Sequence, residues 1–126
     1  MNTKTVWITG ASSGIGQEFA RRYAKLGAIP CRVLSADLAS DAECDALCAA
    51  LADERIDFFI NNAGFGACGS FLETDPEKEL SMLRVNVLAM HRLFKFVLKK
   101  MEAQGFGAIL NVASSAGLLP GGPYMA

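Results

Sequence analysis

The sequence predicts an α/β fold, a doubly wound parallel sheet of about four strands with helices on both faces. Three observations predict it. Short apolar runs alternate with stretches whose apolar residues recur at helical spacing along all 126 residues. A turn spaced by Gly10, Gly14 and Gly16 joins the first such run to the first helical stretch. Polar or glycine-bearing clusters follow the apolar runs at 10–16, 37–38, 61–64 and 114–115, where a parallel sheet gathers its ligands. The length is that of one modest core, so residues 1–126 are read as a single domain.

The elements follow in order. Thr5-Val6-Trp7-Ile8 is an extended apolar run, the first strand, with Trp7 as strand packing. Thr9-Gly10-Ala11-Ser12-Ser13-Gly14-Ile15-Gly16 follows it. Its glycines leave space where a turn tightens, where backbone approaches a ligand and where a helix packs on a strand. The helix beginning there points unpaired N–H groups and a positive dipole end outward, which suits a pyrophosphate. No Lys followed by Ser or Thr ends the run, so a P-loop is excluded.

A first helix is expected over 17–26, with Phe19, Ala20, Tyr23 and Ala24 inward, Glu18 paired with Arg22, and Gly27 ending it. Ile29-Pro30 breaks the pattern, and 31–36 reads as a second strand running into Asp37-Leu38. Ser40 and Glu43 form a capping box for a helix over 41–52, with Cys44, Leu47, Cys48 and Leu51 on one face. Residues 57–60 are a strand buried on both faces, ending in Asn61-Asn62-Ala63-Gly64. Thr74-Asp75-Pro76-Glu77 combines a threonine cap, an early proline and a capping glutamate. The long helix it starts, 75–102, is assigned Leu80, Leu83, Val87, His91, Phe94, Leu98 and Met101 as its buried stripe. A bend near Asn86 or a surface for a partner subunit would explain its length, and Gly105 stops it. A last strand over 108–113 leads into Ser114-Ser115-Ala116-Gly117.

The net charge of −1 and pI near 5.8 provide no field for nucleic acid or an anionic membrane. No run reaches the roughly 18 apolar residues of a membrane span. The N-terminus does not resemble a signal peptide, and a cytoplasmic location is expected. Cys31, Cys44, Cys48 and Cys68 contain no C-x-x-C pair and share the chain with one histidine. They are read as small buried hydrophobes in a reducing compartment, and no metal site is expected. His91 is taken as a core or interface residue and Ser115 as a turn hydroxyl.

On these motifs the chain resembles the short-chain dehydrogenase/reductase family, truncated and internally shortened. Residues 9–16 resemble the family's T-G-x-x-x-G-x-G cofactor turn, Asp37-Leu38 its adenine-contacting acid, and Asn61-Asn62-Ala63-Gly64 its N-N-A-G motif. Asn86 lies 24 residues after Asn62 and Ser114 lies 28 after Asn86, similar to the spacing of the family's catalytic asparagine and serine. The resemblance implies a Rossmann-like fold, incomplete relative to the family, with NAD or NADP as cofactor and hydride transfer involving a small carbonyl or alcohol substrate. It assigns cofactor contacts to Gly10, Ser12, Ser13, Gly14, Ile15, Gly16, Asp37, Leu38, Asn62, Ala63 and Gly64. Ser114 would donate a hydrogen bond to the substrate oxygen, and Asn86 would hold a water or a backbone group in a proton relay. A homo-oligomer through 75–102 is also expected.

Two departures stand out. The family's Y-x-x-x-K element would supply a general acid or base, with the lysine lowering the tyrosine's pKa. Tyr124 is ten residues after Ser114 and its lysine would fall at position 128, past Ala126. Residues 123–126 therefore read as the approach to that element. Between Gly27 and Cys31 a strand and helix of the family are missing, leaving two arrangements for 31–36. In the favoured one the segment moves beside the first strand and Asp37, 21 residues after Gly16, reads the ribose 2′-hydroxyl, which selects NAD. In the other it stays one strand away and leaves a slot. A non-catalytic dinucleotide-binding or interaction module is the alternative function, and the presence of both Asn86 and Ser114 argues against it.

Overall fold

In the computed structural model, residues 4–26 and 31–118 are described. Three short strands form a parallel sheet in the order β1 (Val6–Ile8), β2 (Phe58–Asn61), β3 (Ala108–Asn111). Trp7, Phe59 and Ile109 lie in one cross-strand row. Because successive side chains of a strand point to opposite faces, this row defines one face of the sheet.

That face carries the core. Helices α2 (Asp41–Ala50) and α4 (Met90–Gln104) cover it, burying Leu47, Leu93, Val97 and Met101 against Phe59 and Ile56. Trp7 stacks tilted on Phe59 at 4.9 Å and meets Phe96 edge-on at 6.4 Å, the packing role expected of it. Helix α1 (Gly14–Lys25) lies on the opposite face, where Tyr23 approaches Phe58 at 6.5 Å. The fold is therefore the predicted doubly wound α/β arrangement, with three strands where about four were expected.

The missing strand is 31–36. These residues are extended and alternate as a strand does, with Leu34, Ala36 and Leu38 packed on the core while Val33 is 85% exposed. Among the described residues they form no ladder, and β1 lies at the sheet edge. The favoured shift beside β1 is thus not adopted. The inward row is already packed on the core that α2 shares, and Arg32 is held by Glu54 at 3.2 Å.

Local signals placed the helices well. Ser40 Oγ accepts the Glu43 N–H at 3.3 Å as a cap should, but Glu43 reaches back to the Asp37 N–H at 2.6 Å instead of to Ser40. Glu18 and Arg22 pair at 2.8 Å on the solvent side of α1, and the guanidinium lowers the Glu18 carboxyl below its ordinary range. Gly27 and Tyr124 lie outside the described residues.

The long helix differs in three ways from expectation. Its cap is Asp75, whose Oδ1 accepts the Glu77 N–H at 3.0 Å, while the Thr74 hydroxyl donates to Glu79 and to the Phe71 carbonyl. It comprises α3 (Pro76–Leu83), a π-helical turn over Arg84–Ala89 and α4, so the expected bend is a widened turn containing Asn86. Its buried row is Ala89, Leu93, Val97 and Met101; of the expected stripe only Met101 belongs to it. Leu80, Leu83, Val87 and Leu98 are 44–51% exposed, Phe94 is half-buried and His91 faces solvent. The widened turn rotates the residues after it relative to those before, so one helical period cannot serve the whole length. Gly105 ends α4 in the left-handed region, with φ 70°.

The cysteines divide. Cys44 is buried and Cys48 half-buried, and burial raises both thiols' pKa values, whereas Cys31 and Cys68 are exposed, contrary to expectation. Among the described residues no helix is long and apolar enough to cross a membrane.

Asp57 immediately precedes β2, with its side chain 2% exposed. Burial alone would raise its pKa, but the Thr5 N–H at 2.9 Å and the Arg55 guanidinium at 2.7 Å outweigh that and lower it. A depressed native pKa stabilises the fold above the unfolded carboxylate's pKa, and that contribution is lost as pH falls through the native value. Asp57→Asn should cost about 2 kcal/mol at pH 7. Urea melts at pH 7 and in acid test this: the gap between wild type and variant should close below about pH 4, and a constant gap would contradict it.

Candidate functional site

The polar clusters at the carboxyl ends of the strands are tied together by named hydrogen bonds. Thr9, the last residue before the glycine turn, is 5% exposed and continues the ladder by donating its N–H to the Ile60 carbonyl at 3.0 Å. Its hydroxyl oxygen accepts two backbone N–H groups, from Asn62 at 2.9 Å and Ala63 at 3.0 Å. The Asn62 side chain returns the contact by donating to the Thr9 carbonyl at 3.2 Å. The turn after β1 and the turn after β2 are thus one hydrogen-bonded unit.

Glycine is what lets them approach. Gly10 turns the chain at φ 67°, and a Cβ on Gly16 would lie 2.3 Å from the Gly10 carbonyl oxygen and 2.5 Å from Asn62 Nδ2. No side chain fits there, so the first turn of α1 packs directly on the loop. Ser13 stands at the N-cap in extended conformation and its hydroxyl caps nothing. The first turn holds no acidic residue, and Ser12, Ser13, Gly14 and Ile15 are all exposed. The outcome is a helix N-terminus with a positive dipole end and, among the described residues, no side-chain cap, which suits an anion.

Asn86 joins this unit from the π-helical turn. Its Oδ1 accepts the Phe65 N–H at 3.0 Å and its Nδ2 donates to the Phe65 carbonyl at 2.7 Å. A Cβ on Gly64 would stand 3.0 Å from that Oδ1. Of the two expected partners, a water or a backbone group, the side chain has taken backbone. Both arms of the amide are occupied, so the asparagine fixes the end of the loop that begins at Asn61.

Ser114 lies just beyond β3, three residues after Asn111, on a strand end held to β2 by the Val112 N–H donating to the Asn61 carbonyl at 3.0 Å. Its oxygen accepts the Ala116 N–H at 3.2 Å, capping a single turn over Ser115–Gly117. That bond uses a lone pair and leaves the hydroxyl proton available to another acceptor. Ser115 is an exposed turn residue, as expected.

Among the described residues, Asp37 and Leu38 make no hydrogen bond to these turns. Asp37 Oδ1 accepts the Ala39 N–H at 2.9 Å and its carbonyl accepts the Ser40 N–H at 3.0 Å, while Leu38 packs on the core. This acid builds the entry to α2. With 31–36 unpaired to β1, the argument that placed Asp37 on a ribose and chose NAD no longer holds. Two contributors escaped the motif reading. Thr9 and Asn61 are letters of the two motifs, and neither motif assigns them a contact. A threonine and an asparagine at the carboxyl ends of neighbouring buried strands, where polar side chains need partners, was the signal available.

The chain matches the family described as short chain dehydrogenase over residues 29–126. It is 32% identical to an uncharacterized oxidoreductase of Thermotoga maritima, over 92% of this chain and 55% of that protein. Its structure superposes on a bulky-bulky ketone specific alcohol dehydrogenase from Comamonas testosteroni with a TM-score of 0.87 and 28% identity, covering 95% of this chain and 60% of the other. A short-chain dehydrogenase from Sphingobium yanoikuyae in complex with NADPH gives 0.83 and 31%, covering 94% and 56%. The chain thus spans somewhat over half the length of these proteins.

Thr9→Val keeps the shape and removes the acceptor shared by Asn62 and Ala63. It should destabilise the chain by about 2 kcal/mol, because two half-buried N–H groups lose their partner. Thermal melts measure this, and an unchanged Tm would mean that the hydroxyl does not hold the two turns together.

Proposed function

Since the chain belongs to the short-chain dehydrogenase family, we propose that it is the cofactor-binding part of an NAD(P)-dependent oxidoreductase acting on a carbonyl or alcohol. The observation that carries this is the N-terminus of α1, without a side-chain cap and packed through Gly16 onto the Gly10 carbonyl and the Asn62 side chain. Those residues fit a dinucleotide. The first-turn N–H groups of α1 would hold the pyrophosphate, and Asn62, Ala63 and Gly64 would lie along a ribose. Bound nicotinamide would supply or accept a hydride at the substrate carbon.

The chain's own groups act around that step. Ser114 would donate its hydroxyl proton as a hydrogen bond to the substrate oxygen as charge builds there. Asn86 would keep the cofactor loop in place through Phe65, which makes it a positioning residue. No Tyr-x-x-x-Lys element occurs in residues 1–126, so this polypeptide would bind cofactor without efficient turnover. The ketone specificity of the Comamonas relative and the NADPH of the Sphingobium relative support the substrate class and the cofactor type.

The solvent face of α3 and α4 fits a second copy of the chain. Leu80, Leu83, Val87 and Leu98 are exposed along α3, the π-helical turn and α4, and an antiparallel pairing with a second copy would cover them. Such a dimer is part of this proposal. Val87→Glu should leave a monomer by sedimentation velocity, and a wild type that is already monomeric overturns it.

Titration with NADH and NADPH, followed by nicotinamide fluorescence, tests the main reading. Wild type should bind, Gly16→Val should lose at least about tenfold in affinity, and Ser114→Ala should bind like wild type. Absence of binding by wild type would refute the cofactor role. Rapid ketone reduction by the 126-residue chain that persists in Tyr124→Phe would refute the missing acid/base.

A further inference from the structure

Asn61 closes β2 with its side chain 4% exposed. One NH2 group there serves two acceptors: Nδ2 donates to the Met90 carbonyl at 3.2 Å and to Asn111 Oδ1 at 3.2 Å. The Asn61 backbone carbonyl also takes the Val112 N–H at 3.0 Å. Three pieces of the candidate site meet at this residue: the loop it opens, the helix just after the Asn86 turn, and the strand that leads to Ser114.

The contacts have a register. Asn61 is tied to residue 90 and Phe65 to residue 86, so loop 61–65 runs antiparallel to helical turn 86–90 and is pinned at both ends by an asparagine amide. The Thr9 hydroxyl holds the middle, at Asn62 and Ala63. Asn86 fixes the far end of the loop, and Asn61 stands in the same relation to the near end. Asn111, its register partner on β3, is exposed, whereas the helix carbonyl is half-buried. Removing the amide therefore leaves the helix side with the poorer replacement by water.

We propose that Asn61 is a positioning residue that sets the cofactor loop, the Asn86 turn and the Ser114 strand end in fixed relation through the two hydrogens of its amide. The functional meaning rests on the reading above, in which that loop carries the cofactor ribose. The geometric claim does not depend on it.

Amide hydrogen exchange on the 126-residue chain tests it without cofactor. Asn61→Leu keeps the volume and removes both donors. Exchange at Asn62–Phe65 and at Val112–Ser114 should quicken about tenfold, while Phe59 and Ile60 stay near wild type. Asn111→Ala should quicken only Val112–Ser114. If Asn61→Leu fails to fold, Asn61→Ser, which retains one donor, should release one of the two segments and spare the other. Wild-type exchange at both segments in the folded Asn61 variant, or a uniform rise that includes Phe59 and Ile60, overturns the proposal. NADPH titration of the same proteins separates the two readings. Binding by wild type that weakens about fivefold in Asn61→Leu supports both. Failure of wild type to bind removes the cofactor reading and leaves the exchange result to decide the strap.

Discussion

The close contact between Gly16, Gly10 and the Asn62 amide is the constraint on which the rest of the molecule depends. A Cβ at position 16 would fall 2.3 Å from a backbone oxygen, a separation no packing adjustment can relieve without moving a strand or a helix. Accepting that contact brings the N-terminus of α1 directly onto the loop after β2. The hydrogen-bonding groups at the two strand ends are then close enough for one threonine hydroxyl to serve both Asn62 and Ala63. The site is consequently a property of backbone spacing first and of side chains second. A binding surface made this way arrives already organised, with little ordering left to be done when a ligand binds.

The π-helical turn extends that organisation to the third element. An α-helix of regular pitch keeps its amide side chains on one repeating face. A single widened turn over Arg84–Ala89 instead lets Asn86 reach a loop while Leu93 and Val97, further along, still face the core. A helix thus serves two masters through one local irregularity. The cost is an apolar row, Leu80, Leu83 and Val87, left half exposed.

Sequence was a good guide where the information is local. The Ser40 cap, the inward face of α2 and the buried β2 are all set by residues within a few positions of one another. Parallel topology also sends the ends of β1, β2 and β3 to one rim, which places three of the four expected clusters there, while 37–38 follows a segment that joins no ladder. Sequence failed where geometry depends on distant partners. The burial of Leu93 and Val97 in place of Leu83 and Val87 follows from the widened turn, which no spacing rule reports. The fate of 31–36 depends on whether β1 or the core claims it, and alternation looks the same in both cases. Asn61 and Thr9 act through bonds to residues 29 to 54 positions away, so no motif window contains them with their partners.

The unpaired 31–36 segment clarifies what the shortened sheet can still do. Its inward residues pack with α2 on the face that α4 also covers, so the core stays closed although the ladder does not. The loss falls on the other face, where the aromatic contact from α1 is Tyr23 on Phe58 of β2 and where Leu110 of β3 is 48% exposed. The loop at Asn62 is anchored on the well-packed side by Phe59, in the strand before it, and by the turn that precedes α4, while the Thr9 hydroxyl holds it from β1. The N-terminus of α1, by contrast, is held chiefly by contact with that loop. Rigidity in this molecule therefore runs from the α2 and α4 layer through β2 to the loop and only then to the helix that would meet the phosphates. A ligand bridging α1 and the loop would strengthen the weakest link in that series, and its binding would be coupled to the order of α1 more than to the order of the sheet.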